Sequence, residues 1–196
     1  MSGRVLYVMP CGAGPASDVG RLVAMAQRRG WSVHVIPTAA AVEHFLDVPA
    51  LETLSGHRVR TGYRRAGESD GLPPADAVIV APATYNTINK WAAGISDTYP
   101  LSLLAELTGL GSTPIAVLPF VNSALANNEV FGESVARLRK AGVTVLYGPG
   151  GFEPHPPRTG GTKIAAYPGS SLWTQWKRIG RYDRANTLRR GGGGRG

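Results

Sequence analysis

Short apolar runs alternate with stretches of helical periodicity along most of the chain. The first run, "RVLYVMP" at 4–10, shows no polar alternation and so reads as a strand buried on both faces; it leads into a Gly-rich turn, "CGAGPASD". Ser17 or Asp18 then stands as N-cap to "VGRLVAMAQRRG", where Val19, Leu22, Val23 and Ala26 recur at helical spacing before two arginines and Gly30. "WSVHVIPT" predicts a second strand, "AAAVEHFLDV" a short helix, and "PALETLSGHRVRT" another helical piece ahead of a polar stretch reaching Pro74. A third strand, "AVIVAP" at 77–82, precedes a helix from about Asn86 and a further one, "PLSLLAELTGLG", from Pro100. "PIAVLPF" and "VTVLYGPG" complete five strands. Between them "NEVFGESVARLRKAG" sets Val130, Val135 and Leu138 on one helical face.

This alternation predicts an α/β fold, a Rossmann-like three-layer doubly wound parallel sheet in a single domain. Right-handed crossovers would gather the carboxyl ends of the strands along one edge, where such sheets bind ligands. The loops expected there are "CGAGPAS", "PTAAA", "APATYNT", "PFVNSALANN" and "GPGGFEPHPPRTGGT", all small, polar or rich in Gly and Pro. The domain is expected over 1–168, with 169–196 as a basic, Gly/Arg-rich tail that has little to bury and is expected to be flexible.

Composition narrows the function classes. A length of 196 residues suits one hydrophobic core, and 26 Gly with 15 Pro imply many turns. No apolar run approaches the ~20 residues of a membrane helix, and the start lacks the layout of a secretory signal. The expectation is a cytoplasmic protein without membrane contact. Cys11 is the single cysteine, which rules out an intramolecular disulfide, and no Cys/His spacing suits zinc, so no metal is expected. The +8 net charge is concentrated: seven Lys/Arg against one Asp lie in 171–196, leaving about +2 for the remainder. Nucleic-acid binding by the domain is thus not expected. The tail interleaves aromatics with arginine, which is the pattern of an RNA-binding arm or simply of a flexible end.

The turn after the first strand carries Gly12, Ala13 and Gly14, and backbone amides meeting a helix start there suit a phosphate. The spacing is not G-x-G-x-x-G, because Ser17 stands three after Gly14. Thr38, not an acid, closes the second strand, so a mononucleotide phosphate fits better than a dinucleotide. The same glycines also read as a plain tight turn.

The segment "APATYNTINKWAAGISD" at 81–97 resembles the P-A-S-A-N-T motif and following helix of the flavin-containing cysteine decarboxylases, which include phosphopantothenoylcysteine decarboxylase and the peptidyl-cysteine decarboxylases of lantibiotic biosynthesis. "LETLSGHRVRT" is similar to the segment before that family's active-site loop, and "PFVNSALA" at 119–126 stands in the place of its P-x-M-N-x-x-M-W motif. The likeness spans roughly residues 4–150. It implies FMN bound between subunits of a homo-oligomer, a trimer or a dodecamer built from trimers. It further implies that Gly12, Ala13 and Gly14, with Ser17 and Thr38, take the phosphate, that Pro82, Ala83, Thr84 and Asn86 line the isoalloxazine, and that Asn122 binds the carboxylate of a small-molecule or peptide substrate.

The chain also departs from the pattern. The family's histidine before the third strand falls near Glu68 here, the second motif has Val121, Leu125 and Ala126 for its methionines and tryptophan, and the loop after the fifth strand has no cysteine. His57 is the candidate base and His155 in "EPHPP" a further one, though a lone histidine reads first as a structural residue. His34, His44 and Cys11 read as structural. Trp91 reads as core or interface before it reads as a ring cover. An FMN-dependent enzyme is expected, with a non-catalytic flavin-binding or regulatory subunit as the alternative and an RNA-associated protein acting through the tail as a third reading.

Overall fold

The computed structural model describes residues 3–63, 67, 71–149, 151–164 and 167. The position near Glu68 and the tail from 169 lie outside them.

Five parallel strands build one sheet in the order β2-β1-β3-β4-β5. They are β1 (Arg4–Val8), β2 (Trp31–Val35), β3 (Ala77–Ala83), β4 (Ile115–Pro119) and β5 (Thr144–Val145). β1 pairs with β2 from Arg4 against Trp31 to Val8 against Val35, and its Leu6 pairs with Ala77 of β3. All seven residues of β3 and all five of β4 are buried, as central strands covered on both faces require.

A 3-10 turn, Gly14–Asp18, precedes α1 (Val19–Gln27), and Asp18 holds the N-cap position of that helix without a side-chain bond. Next come α2 (Ala39–His44) and α3 (Val48–Ser55); the Asp47 carboxylate caps α3 and Gly56, at φ 74°, ends it in the left-handed region. α4 (Tyr85–Ala92) and α5 (Tyr99–Leu110) link β3 to β4, and α6 (Ser123–Ala126) with α7 (Glu129–Lys140) link β4 to β5. α8 (Gly160–Lys163) follows the last strand. The chain steps from β1 to β2 in one direction and from β3 through β5 in the other, so right-handed crossovers put α1 on one face and α4, α5 and α7 on the opposite one.

One helical face differs from its expected pattern. Phe131, Ser134, Val135 and Leu138 are the buried set of α7, and Val130 is half exposed. The α7 helix begins at Glu129, and its i, i+3, i+4, i+7 stripe starts one residue later than the pattern alone suggested, because Phe131 fills the core between Tyr85 and Tyr147. Trp91 is core, with its indole N–H donated to Thr108 of α5 at 3.0 Å.

Candidate functional site at the carboxyl edge of the sheet

In the order β2-β1-β3 the connections leave β1 toward opposite sides, which opens a crevice at the carboxyl ends of β1 and β3. Backbone bonds tie the turns around this crevice together. The Cys11 amide donates to Pro82 O at 2.8 Å, Thr38 N–H to Pro10 O at 3.1 Å, and Phe120 N–H to Ala83 O at 2.8 Å. Gly12–Gly14, Thr38, Pro82–Thr84 and Asn122 therefore stand on one rigid rim, as expected from the loops.

The phosphate-type turn is selective in which donors it leaves open. Gly12 N–H donates to Thr38 Oγ1 at 3.2 Å, and Ala13 N–H to Cys11 O at 2.8 Å. Gly14 N–H, first in the 3-10 turn, donates to none of the described residues. The Thr38 hydroxyl accepts from Gly12 and so keeps its own proton to donate, while the exposed Ser17 hydroxyl donates back to Gly14 O at 3.0 Å. Gly12 is glycine for packing: a Cβ there would stand 2.7 Å from Ala40 Cβ and 3.1 Å from its carbonyl carbon. Segments 10–17, 82–87 and 119–127 carry no charged side chain, so within these turns hydroxyls and backbone dipoles are the groups that face an anion.

Across the crevice, the Ala81–Pro82 peptide is cis and Ala83 is fully buried. Thr84 caps α4, its Oγ1 accepting from Thr87 N at 3.2 Å and meeting the Thr87 hydroxyl at 3.0 Å. Asn86 is exposed on the first turn of α4. Below this turn Cys11 is buried, and burial pushes its thiol up against the opposing pull of the Thr87 hydroxyl and the Thr84 backbone. A thiol so held stays protonated at neutral pH and fills space, as the sequence suggested.

Asn122 caps α6: its Oδ1 accepts from Leu125 N–H at 2.9 Å. The cap anchors the amide through its oxygen and leaves the N–H2 group without a bond to the described residues, a donor suited to a carboxylate. The chain after β5 then returns over the rim. His155 bridges to Asn122, the Tyr167 hydroxyl donates to Leu118 O at 2.8 Å, and a Cβ on Gly14 would stand 2.8 Å from Ile164 Cδ1. Phe120 packs with Phe152, His155 and Tyr167 at ring separations of 5.4, 5.0 and 5.5 Å. Burial raises the Tyr167 phenol well above its usual range. This aromatic cover was not legible in the sequence; the one local signal was Asn122 ahead of "SALA", an N-cap pattern.

The structure does not bring His57 to this rim. Its Nε2 lies 3.0 Å from Ser32 Oγ near the start of β2, and its ring stacks on His34 with centroids 4.1 Å apart. Within its own protomer His57 therefore lies along the outer strand β2 and contacts none of the crevice turns among the described residues. A broad cavity at the amino-terminal ends of β3, β4 and β5, lined by Tyr7, Tyr99, Glu106 and Leu107 among others, holds none of the expected site residues. Burial, with the nearby Tyr99 and Glu106, pushes the Tyr7 phenol up to about 12. Among the described residues no helix is long and apolar enough to cross a membrane, and no three metal-ligating side chains cluster.

Comparison with known proteins places this rim in context. The family described as Flavoprotein matches residues 2–165. The Coenzyme A biosynthesis bifunctional protein CoaBC of Thermococcus kodakarensis is 31% identical over 150 residues, which cover 73% of this chain and 36% of that protein. The chain thus spans little more than a third of that relative's length. Among solved structures, the FMN-dependent cysteine decarboxylase SpaF superposes with a TM-score of 0.60 at 24% identity, over 74% of this chain and 83% of that one. A PPC decarboxylase in complex with pantothenoylaminoethenethiol superposes with a TM-score of 0.62 at 17% identity, over 89% and 99%. At these identities the two superpositions establish the fold.

Proposed function

Because the chain belongs to the Flavoprotein family, we propose that it binds FMN in the crevice between β1 and β3 and serves decarboxylase-type chemistry on a small or peptidyl carboxylate. The observation that carries this reading is the Asn122 amide, anchored by its cap and able to donate through its N–H2 group, held on the same rim as the Gly12–Thr38 turn and the small-residue wall Pro82–Thr84.

The residues present fit the group. Gly14 N–H and the Thr38 hydroxyl point to a phosphate ester, with Ser17 able to join by rotating away from Gly14 O. Pro82, Ala83 and Thr84 offer a small, largely apolar wall to a flat ring, and Asn86 an exposed amide at its edge. FMN, when bound, supplies two-electron oxidation next to the carboxylate-bearing end of the substrate. Asn122 orients that carboxylate, and the aromatic cover of Phe120, Phe152 and Tyr167 excludes water from it. Assembly into a trimer, or a dodecamer built from trimers, belongs to this reading.

The purified protein tests it directly. A visible spectrum with oxidised-flavin bands, bleached on adding a C-terminal-cysteine peptide or phosphopantothenoylcysteine with release of carbon dioxide, is the expected result. A colourless protein overturns the cofactor. A yellow protein that neither bleaches nor releases carbon dioxide with either substrate overturns the decarboxylase chemistry.

A further inference from the structure

We propose that Ile164 and Tyr167 form a strap across the mouth of the flavin crevice, latched by one hydrogen bond from the Tyr167 hydroxyl to Leu118 O. The strap lifts to let FMN in or out, and it closes in the same way over a filled or an open crevice. The inference rests on the function proposed above and adds a gate to that site.

The sheet order sets where the strap lies. Ile164 rests on the turn after β1, since a Cβ on Gly14 would stand 2.8 Å from Ile164 Cδ1 and 3.2 Å from its Cγ1. Tyr167 donates its hydroxyl to Leu118 O of β4 at 2.8 Å. Between β1 and β4 runs β3, whose carboxyl end leads into the Pro82–Thr84 wall. Tyr167 N–H donates to Ile164 O at 3.0 Å, so the two residues form one unit with a contact on each side of that wall. Leu118 precedes Pro119, the β4 partner of Ala83, which puts the latch at the level of the wall and not deeper in the sheet.

One polar bond carries the closure. Among the described residues, the hydrogen bonds of Thr159 and Thr162 stay within 156–162, and the Tyr167 hydroxyl is the group that ties this stretch to the sheet. The remaining contacts are apolar and non-directional: the Tyr167 ring lies 5.5 Å from Phe120 and 6.0 Å from Phe152. Burial, and secondarily Cys11, keeps the phenol protonated at neutral pH, so it serves as a donor throughout. The latch joins protein to protein and uses no atom of the flavin. Its loss therefore raises the open fraction by the same factor with FMN present or absent, which changes both rates of exchange and leaves their ratio as it was.

Stopped-flow fluorescence of FMN mixed with the flavin-free protein gives the association rate, and dilution of the loaded protein gives dissociation. Tyr167→Phe keeps the ring packing and removes the latch. It is expected to raise both rates roughly fivefold, with the equilibrium affinity within about twofold of wild type. Ile164→Ala loosens the other end, is expected to raise both rates as well, and serves if Tyr167→Phe does not fold. In either variant, faster dissociation alone makes the residue a wall of the bound flavin, faster association alone makes it a competitor of FMN, and unchanged rates leave it no role. Each of these results overturns the gate while FMN binding stands. A wild-type protein that takes up no FMN overturns the function proposed above and the gate with it.

Discussion

Thr38 Oγ1 accepts the Gly12 amide proton at 3.2 Å, joining the end of the second strand's loop to the turn after the first. The bond uses a lone pair of the hydroxyl and leaves its proton to donate. It also consumes one of the amides that the turn would otherwise offer to an anion. The result is a turn with few open donors and no charged side chain of its own, in which each hydroxyl counts.

Replacing Thr38 by Val keeps the volume and removes the hydroxyl. FMN affinity is expected to fall by roughly 10- to 100-fold, the loss of one hydrogen bond to a charged phosphate, and the orphaned Gly12 amide adds a smaller stability cost. Fluorescence titration of the flavin-free protein with FMN, beside Thr38→Ser as the hydroxyl-retaining control, checks this. Equal affinity in Val and Ser variants would remove Thr38 from the phosphate site.

Gly12→Ala acts through packing. The added methyl meets Ala40 at 2.7 Å, and the neighbouring backbone cannot yield like a flexible side chain. A destabilisation of about 1–3 kcal/mol is expected, read as a lower denaturant midpoint in both the presence and the absence of FMN. The double variant with Ala40→Gly should recover most of it.

The stacked His34–His57 pair on β2 predicts a pH dependence of stability. Burial, and secondarily His57, lower the His34 imidazole to about 4 from its usual 6.5. The folded protein therefore binds fewer protons than the unfolded chain below about pH 6.5. The contribution is complete above that pH and is lost as pH falls toward about 4. Its size is roughly 2 kcal/mol once the screening at the ring edge is allowed for. Denaturation curves between pH 7 and 4 should flatten in His34→Phe relative to wild type.

Asn122→Asp separates binding from folding. The aspartate still caps α6 by accepting from Leu125 N–H, but it exchanges the outward N–H2 for a carboxylate oxygen. Affinity for a C-terminal-cysteine peptide should drop by at least tenfold, corresponding to about 1.5–3 kcal/mol, with flavin content and melting temperature close to wild type. Parallel loss of flavin would place Asn122 at the cofactor and not at the substrate.

The strands, their parallel arrangement and the rim of small loops follow from local pattern: "RVLYV", "AVIVAPA" and "IAVLP" are too uniformly apolar to face water, and Gly30, Gly56 and Gly111 end helices where a left-handed residue is needed. The resemblance around 81–97 and Asn122 likewise lay in the residue order. Tertiary structure alone decided three matters. It showed that the amide of Gly12 is already spent on Thr38, since hydrogen-bond partners 26 residues apart leave no trace in spacing. It sent His57 to Ser32 and His34, because the loop after α3 returns along β2. And it brought His155 beside Asn122 across 33 positions through a single parallel bridge, a pairing set by how the chain after β5 packs on Phe120 and by no local propensity.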